Sequence, residues 1–385
     1  MIPADRIKTE AAKETPGRPL AGAGERLLHP LTGRERILRA CRAEPVDVVP
    51  IWLMRQAGRY LPEYRAMRER IDFATLVKTP ELAAEITLQP LKRFPLDAAI
   101  VFSDIMIIAE PMGLRVAFEP APVVSPPLRS RSDIERLRAP ETGEGLEYTP
   151  AAIRRLHLEL AGKTALIGFA GAPLTVAAYL CEGERGRPAD GSFMALRRLL
   201  HADPVAAHRL LEKLARVIAG YLVAQVEAGA DLVQLFDTWA GLLDPTDYRT
   251  YGLPHVRAII DVLHRRHTPV IYFARSASGL LGELAETGAD VIGLDWTLDL
   301  AAARRRLGSR PVQGNLDPAL LLAPPEVMEA RARAILAGGG GTGHIFNLGH
   351  GVPPDTLPDQ VARLVDIVHR VEPAQPLDHP TRSNP

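Results

Sequence analysis

The sequence is poor in cysteine, lysine and aromatic residues, carries no excess charge of either sign and has no long apolar run. Cys41 and Cys181 are its only thiols, so at most one disulfide can form, and neither has a second thiol or a histidine at metal-ligand spacing. That scarcity fits a reducing compartment and no metal site. Acidic and basic side chains balance at 46 each, for a formal net charge of +0, which argues by composition against a basic nucleic-acid binder. Every apolar run is broken by proline, glycine or charge well short of the ~18 residues that a bilayer-crossing helix needs. Residues 1–26 lack the apolar core of a secretory signal. They hold Asp5, Glu10, Glu14 and Glu25 but no serine, unlike an organellar transit sequence, so the chain reads as cytoplasmic. Lysine is confined to positions 8, 13, 78, 92, 163 and 213, which leaves arginine as nearly all of the basic complement. Coding bias explains most of these arginines, yet the guanidinium fork grips planar carboxylates with two parallel bonds, so a few gain individual meaning from their position.

What is present is a repeating pattern over 385 residues that are 46% hydrophobic and 24% charged. Eight short apolar or β-branched runs recur: VPIWLM (49–54), AAIVFSD (98–104), ALIGFAG (165–171), DLVQLFDT (231–238), PVIYFA (269–274), DVIGLD (290–295), PVQGN (311–315) and HIFNLG (344–349). Helical patterns separate them, among them 79–94, 203–229 and 324–338, each closing toward glycine or proline. Eight βα units predict an α/β chain folded as a single (β/α)8 TIM barrel, because an open sheet of eight parallel strands leaves two edges to cover. A doubly wound sheet with two lobes is the alternative. The proline-rich stretch 111–130 reads as an excursion after strand two, over the barrel mouth. The polar, Pro- and Gly-rich ends set the domain plan: a mobile N-terminal extension at 1–26, the barrel at 27–370 and a mobile C-terminal tail at 371–385.

In such a barrel the chemistry sits where strands end, and the residues there are polar. Arg55 and Arg59, four apart around Ala57 and Gly58, send two guanidinium groups to one side and suit a ligand with several carboxylates. The plainer reading is a structural pair that bridges rim acids such as Asp104 or Glu110. Asp104 follows an apolar run, where an unmatched charge is costly, and its partner is either a protein arginine or a cationic or N–H-rich ligand over the barrel axis. Tyr179 lies on the helix after strand three, and Thr238 closes strand four. His350, between Gly349 and Gly351, can reach inward, although a lone histidine is more often structural. GGGGTG (338–343) precedes strand eight and so reads as a turn at the far rim, HRRH (264–267) as a solvated helix face, and Asp317–Pro318 as a turn and helix start. Asp295 and Trp296 shape the pocket wall.

MRQAGRYLPEYRAMR, FPLDAAIVFSDIM, GAPLTVAAYLCEG, QLFDTWAG, GLDWT, QGNLDP and HIFNLGHGV together resemble the uroporphyrinogen decarboxylase family, in order, from about residue 27 to about residue 370. The resemblance implies a barrel, usually homodimeric, that acts on a small-molecule substrate without metal or organic cofactor. Such a lyase removes CO2 from the four acetate side chains of uroporphyrinogen III and gives coproporphyrinogen III for haem biosynthesis. It also implies roles. Arg55 and Arg59 would hold substrate carboxylates, with Gln56, Ala57 and Gly58 as the loop between them. Asp104 would accept hydrogen bonds from pyrrole N–H groups, Tyr179 and Thr238 would contact substrate, and His350 would contact a propionate or acetate. One departure is visible: Arg275 and Ser276 stand where many relatives have Lys and Gly.

The implied chemistry accounts for the missing cofactor motif, since a pyrrole protonated on a ring carbon can itself accept the electrons that CO2 leaves behind. The resulting cation would lie beside Asp104, and a unit charge pair at 4 Å and an effective dielectric of ~20 attracts by roughly 4 kcal/mol, or about a thousandfold in rate. The proton donor stays open among substrate carboxylates, water, Tyr179 and His350. Two rivals remain: a corrinoid-linked methyltransferase, whose zinc needs thiolates near strand ends, and a tetrapyrrole carrier without turnover.

Overall fold

The computed structural model describes residues 30–118, 122–183, 188 and 190–371. The segments expected to be mobile, 1–26 and 371–385, lie outside the described residues except for Val371. Seven parallel strands form one curled sheet in the order β1, β4, β5, β6, β7, β8, β9. They are β1 (Ala98–Ile100), β4 (Ala165–Gly171), β5 (Leu232–Asp237), β6 (Val270–Ala274), β7 (Val291–Leu294), β8 (Val312–Gln313) and β9 (His344–Ile345). Each falls within one of the apolar runs. The remaining run, 49–54, bonds to both ends of the sheet: the N–H of Phe346 donates to the carbonyl of Pro50 at 2.8 Å, and that of Asp97 to the carbonyl of Ile51 at 2.9 Å. Between β1 and β4, β2 (Arg115–Ala117) and β3 (Val123–Ser125) pair antiparallel, inside the stretch expected to leave the barrel.

Strand alternation decides what faces inward. Trp52, Met54, Ala98, Ala165, Ile167, Leu232, Ile271, Phe273, Val291 and Ile345 form one interior cluster, whereas Val233, Leu235, Val270, Tyr272, Ile292 and Val312 pack with the helices. Burial on both faces explains why β4 is apolar throughout instead of alternating. The interior also holds a polar ladder. The indole N–H of Trp52 donates to Gln313 Oε1 at 2.9 Å, and Gln313 Nε2 donates to Gln234 Oε1 at 2.9 Å.

A helix not singled out in the sequence, Gly33–Cys41, adds Ile37, Ala40 and Cys41 to this interior cluster. Thr32 and Glu35 start it with a reciprocal capping box. The expected helices appear at Pro80–Arg93, Pro204–Glu227 and Pro325–Gly339. HRRH differs from its reading as a helix face. The helix Leu253–His264 ends at its first residue, and His267 adopts a left-handed φ of 55°, so the motif forms mainly the turn toward β6.

Asp97, 2% exposed, joins these parts. Its Oδ2 accepts from the N–H of Ile51 at 2.8 Å and lies 2.8 Å from His369 Nε2 on the last helix, Pro358–Arg370. Its Oδ1 accepts from Arg36 at 3.0 Å. Asp97→Asn puts an amide among these donors, and a buried charged network broken on one side loses ~3 kcal/mol or more. Urea denaturation is expected to show that loss with an unchanged m-value.

Candidate active site

Contacts near the strand ends link some of the expected site residues, Arg55 with Asp104 and with Gly351 beside His350. Arg55 is exposed and adopts φ 62°, a left-handed conformation uncommon outside glycine. The carbonyl of Leu53 accepts from the N–H of Gln56 at 2.9 Å, so the chain turns sharply at the end of the first run and carries Arg55 to the rim. Gly351 is what makes room for it, because a Cβ there would fall 2.3 Å from Arg55 Cδ. Arg59 is exposed in the same segment, and its carbonyl accepts from Arg65 at 2.8 Å. Of the two rim acids considered as protein partners, Glu110 is paired with Lys78 at 2.8 Å, while Asp104 feels the charge of Arg55.

Gln56 does a different job from its neighbours. Its side chain is 1% exposed and braces the framework, with Oε1 accepting from the N–H of Leu53 and Nε2 donating to the carbonyl of Ala98, both at 3.1 Å. The brace ties the 49–54 run to β1, which leaves Ala57 and Gly58, both half-buried, to shape the loop between the arginines. The hydroxyl of Tyr60 also donates to the Gln56 carbonyl at 2.8 Å.

Asp104 lies four residues past β1. Its Oδ1 accepts from the N–H of Met106 at 2.7 Å. Burial pushes its carboxyl above the usual range, opposed by that bond and by the charge of Arg55. A carboxylate costly to leave unmatched thus stands past the strand end with only partial compensation.

The floor and one wall are aromatic. Phe169, Phe236 and Phe273, on neighbouring strands, follow one another at centroid separations of 5.5 and 6.1 Å, and Phe273 lies 6.4 Å from the ring of His350. Half-buried Tyr179, on the helix Pro173–Glu182, packs edge-on to Phe193 at 5.5 Å and to Trp239 at 6.4 Å. Thr238, half-buried, continues the inward alternation of β5 just before Trp239.

Behind this wall lies a carboxyl to which sequence reasoning gave no role. Asp237, fully buried, accepts from Thr175 Oγ1 at 2.6 Å and from Tyr272 Oη at 2.7 Å. Thr175 Oγ1 in turn accepts from the Trp239 N–H at 3.0 Å. Burial raises its proton affinity, and the two hydroxyl bonds oppose that rise. Since Thr175 lies one helical turn before Tyr179, this network fixes both Tyr179 and Trp239. The sequence signal for it is the polar pair Asp237–Thr238 that ends an apolar strand in FDT.

Asp295 Oδ1 accepts from the Thr297 N–H at 2.8 Å and Oδ2 from the Ser276 N–H, so it braces loops at the rim. Asp317 caps the short helix Pro318–Leu322. Cys41 and Cys181 both sit buried in helices, and burial pushes each thiol up to about 12. Neither supplies the strand-end thiolate that a zinc methyltransferase needs, and among the described residues no cluster of three or more His, Cys, Asp or Glu is placed to hold a metal ion.

A model of the uroporphyrinogen decarboxylase (URO-D) family matches residues 32–371. The chain is 50% identical over 343 residues to a uroporphyrinogen decarboxylase of Chloroflexus aurantiacus, covering 87% of this chain and 95% of that protein. A Geobacter metallireducens protein of the same name is 47% identical over 338 residues, covering 87% and 98%. An Escherichia coli one is 46% identical over 346 residues, covering 88% and 97%. Among solved structures, a methyltransferase from Methanosarcina mazei superposes with a TM-score of 0.75 at 21% identity, over 88% of this chain and 98% of that one. At that identity the likeness concerns the fold alone.

The Arg55–Gly351 contact gives a test of the site. Gly351→Ala is expected to fold normally, since a flexible side chain can swing away, but to displace Arg55. The loss of one charge-assisted bond to a ligand carboxylate is worth ~1.5 kcal/mol or more, so KM should rise about tenfold with the melting temperature unchanged. Unchanged KM would show that Arg55 can move without consequence.

Proposed function

The chain belongs to the uroporphyrinogen decarboxylase family, and we propose that it converts uroporphyrinogen to coproporphyrinogen by removing CO2 from four acetate side chains. The observation that carries the residue assignment is Asp104: a carboxyl just past a strand end that burial makes costly to ionise, with Arg55 in electrostatic reach. In this reading 49–54 counts as the first of eight strands in a closed (β/α)8 barrel spanning 27–370, with 111–130 as an excursion from it. The working unit is a cytoplasmic homodimer. Family resemblance supports the dimer, and the absence among described residues of any helix long and apolar enough to cross a membrane is compatible with the location.

The chemistry balances without a cofactor. A proton adds to the pyrrole carbon next to the one that bears the acetate. The electrons of the C–CO2 bond then flow into the cationic ring as CO2 departs, leaving an exocyclic methylene. A second proton converts that methylene to methyl while the ring carbon returns the first, so each turn consumes one proton and releases one CO2. Asp104 is assigned to hold the pyrrole N–H groups and then the ring cation, whose charge appears only as the barrier is climbed. Arg55, Arg59 and His350 are assigned to side-chain carboxylates, with Ala57 and Gly58 as the loop that the ligand faces and Gln56 as its brace. Tyr179 and Thr238 are assigned to the wall against which the ring lies. The work of the protein is then positioning and electrostatics.

Anaerobic incubation with uroporphyrinogen, followed by oxidation and chromatographic counting of carboxylates, tests the reaction. Products with seven to four carboxylates are expected; bound but unchanged octacarboxylate would mean a carrier. For Asp104→Asn, kcat should fall about a thousandfold, with KM changed only a few-fold. Stability should move the other way. A raised carboxyl pKa means that the native state binds the proton more tightly than the unfolded chain, so the ionised form costs stability at neutral pH. Asp104→Asn removes that cost, and its melting temperature at pH 7 should exceed that of the parent, the gap closing as pH falls and the parent carboxyl protonates. The low-pH limb of wild-type activity should reflect the same titration.

A further inference from the structure

We infer that Arg275 is a specificity-determining residue that grips a peripheral carboxylate of the substrate from the side of the mouth opposite Arg55 and Arg59. The inference rests on the tetrapyrrole reading and extends it. Ile271 and Phe273 of β6 belong to the barrel interior, and the same alternation carried two residues further turns Arg275 inward at the strand end. The 49–54 run bonds to the β9 side through Phe346 and to the β1 side through Asp97. With the strand order β1, β4, β5, β6, β7, β8, β9, β6 therefore stands four places from that run in either direction, which is directly across.

Arg275 is also held in an unusual way. Its guanidinium carbon lies 5.6 Å from the centroid of the Trp296 ring, and its Nε is buried with no hydrogen-bond partner. Among the described residues no acid forms an ion pair with it. The acid close in sequence to Trp296 is Asp295, whose oxygens are occupied by Thr297 and Ser276. A cation seated on an aromatic face keeps its full charge and its donors for an incoming anion, whereas one seated on a carboxylate has spent them. Half-buried Arg275 is partly desolvated in advance, which strengthens the bond it can make. A macrocycle with carboxylates around its whole edge, held by two arginines on one side, needs a counter-grip on the other to lie flat over Asp104. Arg275 supplies it, and Trp296 sets its angle.

The test compares wild type, Arg275→Met and Arg275→Lys in steady-state turnover of uroporphyrinogen. It adds equilibrium titration by fluorescence with uroporphyrin (eight carboxylates) and coproporphyrin (four). Arg275→Met is expected to raise KM for uroporphyrinogen about tenfold, the effect of losing one charge-assisted bond, with kcat within about twofold. It should weaken uroporphyrin binding similarly and accumulate partially decarboxylated intermediates, while Arg275→Lys recovers part of the loss. Trp296→Leu keeps the charge but removes its platform, and should give a smaller loss of the same kind even if Arg275→Met folds poorly. Wild-type KM and uroporphyrin affinity in Arg275→Met, or a fall in kcat alone, would overturn the inference while leaving the decarboxylase reading intact. A wild-type protein that neither binds nor converts uroporphyrinogen would overturn both.

Discussion

One buried carboxylate holds the ends of this fold together. Asp97 sits where the 49–54 run, the Gly33–Cys41 helix region and the final helix meet, and it bonds to all three. Without that junction the run that delivers Arg55 has weaker ties to the sheet: the Phe346 bonds on one side and the Gln56 brace on the other. The strand-end residues are thus set from the opposite end of the sheet. Order at the bottom fixes register, register fixes which side chains face inward, and the inward set becomes the floor and rim at the top.

The rim itself is built from two kinds of compromise. Arg55 occupies a backbone conformation that most residues avoid, and Asp104 occupies surroundings in which its charge is costly. Both are local inconsistencies of the sort that cluster at functional sites because the surrounding structure over-determines them. Asp237 shows the complementary arrangement. Its carboxyl is fully buried, whereas Asp104 is half-buried, but it is fed by two hydroxyls and packs with the helices. One acid is satisfied by two hydroxyls, the other is only partly satisfied, although both follow apolar runs.

That distinction marks how far the sequence could be read. The strands were legible because a parallel sheet covered on both faces demands unbroken apolar runs, and strand ends were legible as polar interruptions of them. The helix Gly33–Cys41 was not, because it is short, carries Arg34, Glu35, Arg36 and Arg39, and buries only a narrow stripe of Ile37, Ala40 and Cys41. The family resemblance put Gln56 in the loop between the two arginines; only its two bonds to Leu53 and Ala98 reveal a brace. Nor does spacing show that Gly351 serves Arg55 as well as His350, since the two positions are nearly three hundred residues apart. Pairings of that range depend on how the distant ends of the chain meet, which no local pattern encodes.

The aromatic floor bears on traffic. Phe169, Phe236 and Phe273 interlock beside an interior cluster against which the Gly33–Cys41 helix packs. A flat macrocycle lying against those rings has one face covered by apolar surface, and CO2 lost from that side leaves as the ring lifts or tilts. Four successive losses from four different edges of the ring then require the substrate to turn in place or leave and return, so departure and re-entry belong to the reaction cycle as much as bond cleavage does.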